Sequence, residues 1–365
     1  MNKDWQYFNP VKVVSGVGSL SRLREFTKSG DWLLVTSSGF TRRGLVDTIT
    51  KQLDRVALQV YDSVTPNPEL EDLETVTQHY RGALIQGIIA LGGGSAIDAA
   101  KVLAVTLCCE LERPLVEVLR QPKKHNWDKK LPLIVIPTTS GTGAEVTPFA
   151  TVWDKPYHKK HSITGDKVFP DVALLDPALT VPLPEFETLY TSLDAISHAL
   201  ESIWNVNRSP VSEAFAVQSL NLALKALPKL RKQPDDIDAR ADMQQASLLA
   251  GLAISQTRTA IAHAISYPLT SYFNVPHGIA CSFTLPTLIE EYLKSKPDYK
   301  NRELILRAKE LVSSLDIACY INQFATKEDL LSIKKEMHHP DRAGNYDGEM
   351  NEVILHEVLL KSLDL

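Results

Sequence analysis

The stretch GIIALGGGSAIDAAKVLAVTL, residues 87–107, decides the fold. Its apolar start, residues 87–91, is followed by the glycine turn Gly92-Gly93-Gly94 and then by a segment of helical periodicity, residues 96–107. In this arrangement, backbone N–H groups at the start of the helix can face an anion, because the glycines between the strand and the helix have no Cβ atoms to block it. The turn does not fit G-x-G-x-x-G. It predicts a pyrophosphate site of an α/β domain that is not an ordinary Rossmann domain, and a tight turn without a ligand is the alternative.

Working outward, further short apolar runs predict strands at residues 32–36, 57–61 and 133–136, separated by amphipathic stretches such as residues 69–82. This alternation is typical of βαβ units and a parallel sheet. After Pro182 the strand signal ends, and helical periodicity follows at residues 185–204, 210–226, 239–253 and 302–312. We therefore predict an α/β domain at residues 1–180 and an all-α domain at residues 181–365.

The composition narrows the class of protein. The 365 residues are 44% hydrophobic and 23% charged, with a formal net charge of −5, which is typical of a soluble globular chain and gives no electrostatic reason to bind nucleic acid or a membrane surface. No apolar run is long enough to span a membrane, and no secretory signal pattern is present, so we expect a cytoplasmic location. The four cysteines lack the spacing of a disulfide framework. A small molecule is the expected partner.

A second turn of small residues, PTTSGTG at residues 137–143, follows the strand predicted at residues 133–136. Because the carboxyl ends of parallel strands meet at one edge of a sheet, both turns are expected to line one crevice. After the strand at residues 32–36, Ser37, Arg42 and Arg43 occupy the place of a dinucleotide's adenosine ribose. Small residues with nearby arginines accommodate a 2′-phosphate, which favours NADP over NAD. The alternative is that both arginines are simply exposed at a helix start.

Asp194 and His198 stand four residues apart in a helical segment, so both project from one helix face. His263 lies on a second helical stretch, and His277 follows it. One carboxylate and three imidazoles suit Fe(II) or Zn(II), with positions left for a substrate oxygen. Spacing alone does not assign them, because an aspartate–histidine pair of this kind is commonly a surface hydrogen bond.

Four runs jointly resemble the iron-containing alcohol dehydrogenases, also called group III: residues 92–101 (GGGSAIDAAK), 137–145 (PTTSGTGAE), 193–201 (LDAISHALE) and 275–278 (VPHG). The resemblance implies the dehydroquinate synthase-like fold. In that fold an α/β domain with a parallel sheet binds NAD(P), and an all-α domain holds one divalent metal, Fe(II) or Zn(II), in the cleft between them. It further implies that the metal ligands are Asp194, His198, His263 and His277.

The same resemblance assigns cofactor residues. It implies that Gly93, Gly94 and Ser95 hold the pyrophosphate and that Asp98 lies close to the nicotinamide. It also implies cofactor contacts from the loop after residue 136. The complete predicted NAD(P)H site is Ser37, Arg42, Gly93, Gly94, Ser95, Asp98, Thr138, Thr139 and Thr142.

Two positions depart from the general family pattern. Many members carry a proton-relaying histidine four residues after the third ligand, where this chain has Tyr267. A tyrosine, with a pKa of about 10, is a poorer relay at neutral pH than imidazole. We keep Tyr267 among the catalytic residues, with a ribose hydroxyl and water as the alternative relay and simple packing as the alternative role.

The second departure is Arg258, shortly before His263, where general members keep small or apolar residues. A guanidinium matches phosphonate, phosphate or carboxylate oxygens, although a surface salt bridge is the alternative. Residues 145–154 and 258–269 are similar to the phosphonoacetaldehyde reductase branch. The predicted substrate residues are Phe149, Thr151, Ile254 and Arg258.

We therefore expect a homo-oligomeric, metal-dependent enzyme that uses NAD(P)H to reduce an aldehyde to a primary alcohol, specifically phosphonoacetaldehyde to 2-hydroxyethylphosphonate. One alternative is a general short-chain alcohol or aldehyde dehydrogenase of the same family. A second is a dehydroquinate synthase-like lyase, whose glutamate-containing ligand set and lysine-rich pocket are not apparent in the sequence. A third is a non-catalytic protein of this fold, which would be expected to have lost a ligand.

Overall fold

A computed structural model describes residues 4–121, 125–157, 159–338 and 340–363. The chain folds into two compact units. The first, here called the α/β unit, comprises Asn9–Thr139 and Ala144–Thr180. The second, here called the helical unit, comprises Val181–Leu365 together with Ser140–Gly143 and the described part of Met1–Phe8.

The α/β unit is built on a six-stranded parallel sheet with the order β1-β8-β5-β4-β2-β3, and β6 and β7 form a separate antiparallel hairpin. The strands are β1 Lys12–Ser15, β2 Gly30–Val35, β3 Val56–Tyr61, β4 Ile85–Gly92, β5 Leu133–Pro137, β6 Phe149–Asp154, β7 Lys159–Thr164 and β8 Val172–Leu175. The helices are α1 Ser38–Arg42, α2 Leu45–Gln52, α3 Leu70–Tyr80 and α4 Gly94–Thr106.

The centre of the sheet forms because its sequences are continuously apolar. All residues of β5 and all but one of β4 are buried, as expected for parallel strands covered on both faces. On one face, Leu34, Ile89 and Ile134 pack with Val46 and Ile49 of α2. Helix α4 is rich in alanine and valine and is buried from Ala99 to Thr106, and it packs on β4, β5 and β6.

The helical unit contains eleven α-helices among its described residues. They are α5 Glu185–Ile203, α6 Pro210–Leu230, α7 Ile237–Thr257, α8 Ile261–Phe273, α9 His277–Ala280, α10 Leu285–Ser295, α11 Arg302–Ser313, α12 Ile317–Ile321, α13 Lys327–Ser332, α14 Pro340–Ala343 and α15 Glu352–Leu363. Ser209 caps α6 in a capping box, and the Asp236 carboxylate caps α7. Helices α5, α6 and α7 pack together, and α5 is buried almost throughout its second half.

The predicted fold class, a parallel-sheet α/β domain followed by a helical domain, is confirmed. The strands predicted at residues 32–36, 57–61, 87–91 and 133–136 correspond to β2, β3, β4 and β5 within a few residues. Strands β1 and β8 and the β6–β7 hairpin were not predicted from the sequence. No helix among the described residues is both long and apolar enough to cross a bilayer.

Candidate functional site

The glycine turn lies at the carboxyl end of β4. Gly92 has φ of 150°, and a Cβ there would lie 2.7 Å from the Cβ of Ala96, so glycine is required. The N-cap Gly93 has no side chain to cap α4, which leaves the first N–H groups of a 13-residue helix facing outward from the turn. Ser95 Oγ accepts from Asn67 N at 3.2 Å, which fixes the neighbouring loop on the turn.

Neighbouring strand ends hold this turn in place. Thr36 Oγ1 donates to Leu91 O at 2.8 Å from the end of β2. Thr138 N donates to Gly92 O at 3.0 Å from the end of β5. The structure thus brings together Gly93, Gly94, Ser95, Thr138 and Thr139 at one edge of the sheet.

The residues predicted around the adenosine ribose lie at the ends of β2 and β3. Ser37 pairs with Ser63, and Arg42 Nη1 donates to Ser38 Oγ at 2.9 Å. The structure places an acidic group here that was not predicted from the sequence. Asp62 Oδ2 accepts a hydrogen bond from Thr41 Oγ1 at 2.6 Å. An acidic side chain at this edge grips a ribose 2′-OH and disfavours a 2′-phosphate.

Asp98 and Lys101, both on α4, organise β6. Asp98 Oδ2 accepts from Thr151 N at 2.9 Å, and burial raises the pKa of its carboxyl. Lys101 Nζ donates to Thr147 O at 2.9 Å and to Phe149 O at 2.8 Å, and burial lowers its pKa to about 8. Two predicted substrate residues, Phe149 and Thr151, are therefore fixed through their backbones, and both are half-buried.

The four predicted metal ligands meet around one oxygen, Asp194 Oδ1. The Nε2 atoms of His263, His198 and His277 lie 3.4, 3.5 and 3.9 Å from it. Asp194 and His198 come from consecutive turns of α5, His263 comes from α8, and His277 begins α9. The convergence of four side chains from three helices gives the arrangement of a mononuclear metal site.

Other atoms orient the imidazoles. His263 donates its backbone N–H and ring Nδ1–H to the two oxygens of Glu201, at 3.1 and 2.6 Å. His198 Nδ1 donates to Gly141 O at 3.3 Å. Because Nδ1 is occupied in this way, a neutral ring at His263 or His198 would carry its lone pair on Nε2, the nitrogen that lies nearest Asp194, and this is the tautomer that metal ligation needs.

The protonation of the cluster follows from burial and mutual attraction. Burial alone would raise the pKa of Asp194, but the three imidazoles hold it far below its usual range. Burial alone would lower the pKa of His263, but Glu201 and Asp194 outweigh burial and raise it to about 9. Burial lowers the pKa of His198, against the attraction of Asp194.

Cys281 and Glu201 lie in the same cluster as Asp194 and the histidines, but they were not predicted from the sequence to belong to the site. The Cys281 thiol donates to Asp194 Oδ1 at 3.5 Å, and the donor atoms of Asp194, His263, His277 and Cys281 all lie within 4.8 Å of one another. Both residues carried a usable signal: Cys281 follows His277 by four positions, and Glu201 follows His198 by three in a helix.

The donor set fits a divalent cation. Asp194 and Glu201 are 3% and 0% exposed, and among the described side chains only imidazoles lie within ion-pair distance of them. His263 Nε2 is buried without a hydrogen-bond partner in the described part of the chain. A cation at this point would compensate two buried negative charges and occupy that nitrogen. Nitrogen and carboxylate donors suit iron and zinc alike.

We expect Glu201→Gln to weaken metal binding about 10- to 100-fold, because a neutral amide orients and polarises the His263 ring less well than a carboxylate. Competition with a chelator would measure the affinity. Glu213→Gln is the matched control, since Glu213 accepts hydrogen bonds from Tyr299 and Lys300 at a different place in the helical unit. Equal affinities of Glu201→Gln and the parent protein would contradict the role assigned to Glu201.

Four further residues were predicted to belong to the site: Tyr267, Ile254, Arg258 and Thr142. The Tyr267 ring lies 6.1 Å from the His277 ring in nearly parallel planes and 6.3 Å from the His263 ring. Burial raises the pKa of its hydroxyl. Ile254 is buried in α7, and Arg258 ends that helix with φ of 63° and an exposed side chain. Thr142 belongs to the segment Ser140–Gly143 of the helical unit.

A glycine turn on a parallel sheet and a buried carboxylate–histidine cluster in a helical unit are typical of metal-dependent dehydrogenases. Two family models match the chain. "Iron-containing alcohol dehydrogenase" matches residues 10–177, and "Fe-containing alcohol dehydrogenase family, C-terminal" matches residues 188–332.

Individual proteins are similar over most of the chain. Long-chain-alcohol dehydrogenase 1 of Geobacillus thermodenitrificans is 37% identical over 70% of this chain and 64% of its own length, so the chain spans less than two thirds of that relative. The 1-propanol dehydrogenase of Salmonella typhimurium is 32% identical over 76% of this chain and 71% of its own. The structure of sulfoacetaldehyde reductase from Bifidobacterium kashiwanohense in complex with NAD+ matches with a TM-score of 0.87 and 26% identity, covering 99% of each chain.

The chain therefore belongs to the iron-containing alcohol dehydrogenase family, a family of oxidoreductases, and the predicted resemblance is confirmed at that level. The narrower phosphonoacetaldehyde branch stays a prediction.

Proposed function

We propose that the protein is a metal-dependent aldehyde reductase that uses a nicotinamide cofactor and, in reverse, oxidises the corresponding alcohol. The observation that carries this proposal is the convergence of three imidazole Nε2 atoms on the buried Asp194. Residues 1–180 are assigned the cofactor and residues 181–365 the metal and the catalytic groups. The segment Ser140–Gly143 supports the metal side, because Gly141 O accepts from His198.

Each group of residues has a defined task. Asp194, His198, His263 and His277 hold the metal, and the first N–H groups of α4 bind the pyrophosphate. When bound, the metal supplies Lewis acidity toward a carbonyl oxygen and the nicotinamide supplies a hydride. The Tyr267 hydroxyl keeps its proton at neutral pH, so it acts as a hydrogen-bond donor rather than as a titrating relay. The proton that completes the alcohol then comes from solvent.

The choice of cofactor depends on two side chains with opposite preferences. Arg42 supports NADPH, because a guanidinium near the ribose pairs with a 2′-phosphate. Asp62 supports NADH, because a carboxylate binds a ribose 2′-OH and disfavours a 2′-phosphate. The sulfoacetaldehyde reductase that this chain resembles was crystallised with NAD+. We propose that NADPH is the preferred cofactor, as predicted from the sequence. The ratio of kcat/KM for NADPH to that for NADH tests this preference.

For the substrate we propose an aldehyde that carries an anionic group, with phosphonoacetaldehyde as the specific candidate. Two arguments support this class. One is the resemblance of residues 145–154 and 258–269 to the phosphonoacetaldehyde branch, which stays a prediction from the sequence. The other is that a solved structure that resembles the chain over 99% of its length is a sulfoacetaldehyde reductase. Phosphonate and sulfonate share the chemistry that matters here, a tetrahedral oxyanion on the carbon beside the aldehyde.

Steady-state kinetics of the metal-loaded protein test the proposal. Protein supplied with Fe(II) or Zn(II) is assayed with phosphonoacetaldehyde, sulfoacetaldehyde and propanal, each against NADH and NADPH. We expect cofactor oxidation with at least one anionic aldehyde and a higher kcat/KM for it than for propanal. No cofactor oxidation with any aldehyde would overturn the proposed function, and a preference for propanal would overturn only the anionic substrate.

We also propose a homo-oligomer in the cytoplasm. Strands β1 and β3 form the two edges of the sheet in the described part of the chain, and this supports assembly, since an open sheet edge can pair with another chain. The free cysteines Cys108, Cys109, Cys281 and Cys319 support a reducing compartment. Light scattering during gel filtration would measure the oligomeric state.

A further inference from the structure

Besides Arg258, a second arginine lies near the candidate metal ligands, Arg342 of α14. Its guanidinium carbon is 4.0 Å from the centroid of the Tyr267 ring, a close cation–π contact. The same ring neighbours His277 and His263 at 6.1 and 6.3 Å. The Tyr267 ring therefore contacts Arg342 and also neighbours two of the candidate metal ligands.

The backbone around Arg342 is fixed rather than loosely attached. Asn345 Nδ2 donates to Thr259 O at 2.8 Å, and Asn345 O accepts from Val206 N at 2.8 Å. Asp347 N donates to Trp204 O at 2.7 Å. These bonds tie the segment that follows Arg342 to the end of α5, the helix that carries Asp194.

The charge of Arg342 has no counter-ion among the described side chains. Some other arginines have one: Arg120 pairs with Asp154 at 2.8 Å, and Arg208 pairs with Asp347 at 3.8 Å. Arg342 is half-buried and contacts an aromatic face instead. A guanidinium withdrawn from water without a carboxylate partner gains from an anionic ligand, which its planar fork can bind through two hydrogen bonds.

We infer that Arg342, held on Tyr267 beside the imidazole cluster, binds the anionic group of the aldehyde substrate. The inference rests on the proposed function and deepens it, because it places the oxyanion end of the substrate over Tyr267 and leaves the aldehyde end for the metal side. It assigns to Arg342 the role that was predicted from the sequence for the exposed Arg258.

The test compares four variants of the metal-loaded protein: Arg342→Gln, Arg342→Lys, Arg258→Gln and Arg307→Gln. Arg307 is exposed on α11 and serves as the matched control for loss of one positive charge. Each is assayed with phosphonoacetaldehyde, sulfoacetaldehyde and propanal. We expect Arg342→Gln to raise KM for both anionic aldehydes about 30-fold or more and to change propanal kinetics less than about 3-fold. Arg342→Lys should recover part of the loss, because it keeps the charge without the fork.

Binding of ethylphosphonate, which has no carbonyl group, gives a readout that does not depend on turnover. Calorimetry should show a Kd at least about 10-fold weaker for Arg342→Gln than for the parent and the Arg307→Gln control. Equal losses on propanal and the anionic aldehydes, or an anion-selective loss in Arg258→Gln alone, would overturn the inference and leave the reductase proposal standing. If the parent reduces no aldehyde, the proposed function fails, and unchanged ethylphosphonate binding by Arg342→Gln would then overturn the inference separately.

Discussion

Asp194→Ala is expected to abolish retention of the metal and to lower kcat/KM for the aldehyde by at least about 1000-fold. The reason lies in the geometry, since Asp194 Oδ1 is the atom on which the three imidazole nitrogens converge. Removing it takes away the only carboxylate ligand among the four. Lewis-acid stabilisation of a developing oxyanion is worth several kcal/mol, which corresponds to the rate factor given.

Metal content by mass spectrometry and kinetics with added metal measure this effect together. The control is Asp242→Ala, because Asp242 pairs with the exposed Lys225 and lies on α7. A near-ultraviolet circular dichroism spectrum that matches the parent's would establish that Asp194→Ala is folded. Full metal occupancy in that folded variant would show that the cluster is not the metal site.

Gly278→Ala is expected to lower the free energy of unfolding by at least about 3 kcal/mol and to weaken metal binding. A Cβ at this position would overlap the backbone oxygen of Tyr190 and lie 2.5 Å from its carbonyl carbon. Backbone atoms of α5 cannot move aside as a flexible side chain can. The start of α9 must therefore shift, and His277 and Cys281 shift with it.

Urea denaturation and metal titration of the variant measure both parts of this prediction. Gly39→Ala is the matched control, because the nearest atom to a Cβ there is Arg43 Nη1 at 3.7 Å. Within helix α1 the change to alanine should be neutral or stabilise by up to about 1 kcal/mol. Parental stability of Gly278→Ala would mean that α9 and α5 are not in the close contact described.

The sequence was informative where local patterns are strong. Strands β2, β4 and β5 are found from the sequence because their residues, mostly buried, give apolar runs, whereas β3 lies at the edge of the sheet and none of its residues is buried. Strands β1 and β8 have only four residues each, too few for a periodic signal. The strand KKHSIT of β7 is polar along its length, and its pairing with β6 rather than its composition makes it a strand.

The same distinction applies to the site. Asp194 and His198 share a helix face, and this is visible in the spacing. Their meeting with His263 and His277 depends on how α5, α8 and α9 pack, and the resemblance to a family supplied what spacing could not. Arg342 has no local signal at all, because only the return of the chain across the end of α5 brings it to Tyr267.

The strand order has a consequence for biosynthesis. Strand β8 lies between β1 and β5, so β1, the first of the described strands in chain order, has no partner in the described sheet until residues 172–175 have followed it. Strands β2 to β5 can pair with one another before then. The nascent chain therefore carries an open sheet edge at β5 for the time needed to translate the β6–β7 hairpin, and this interval is when it most needs protection from aggregation.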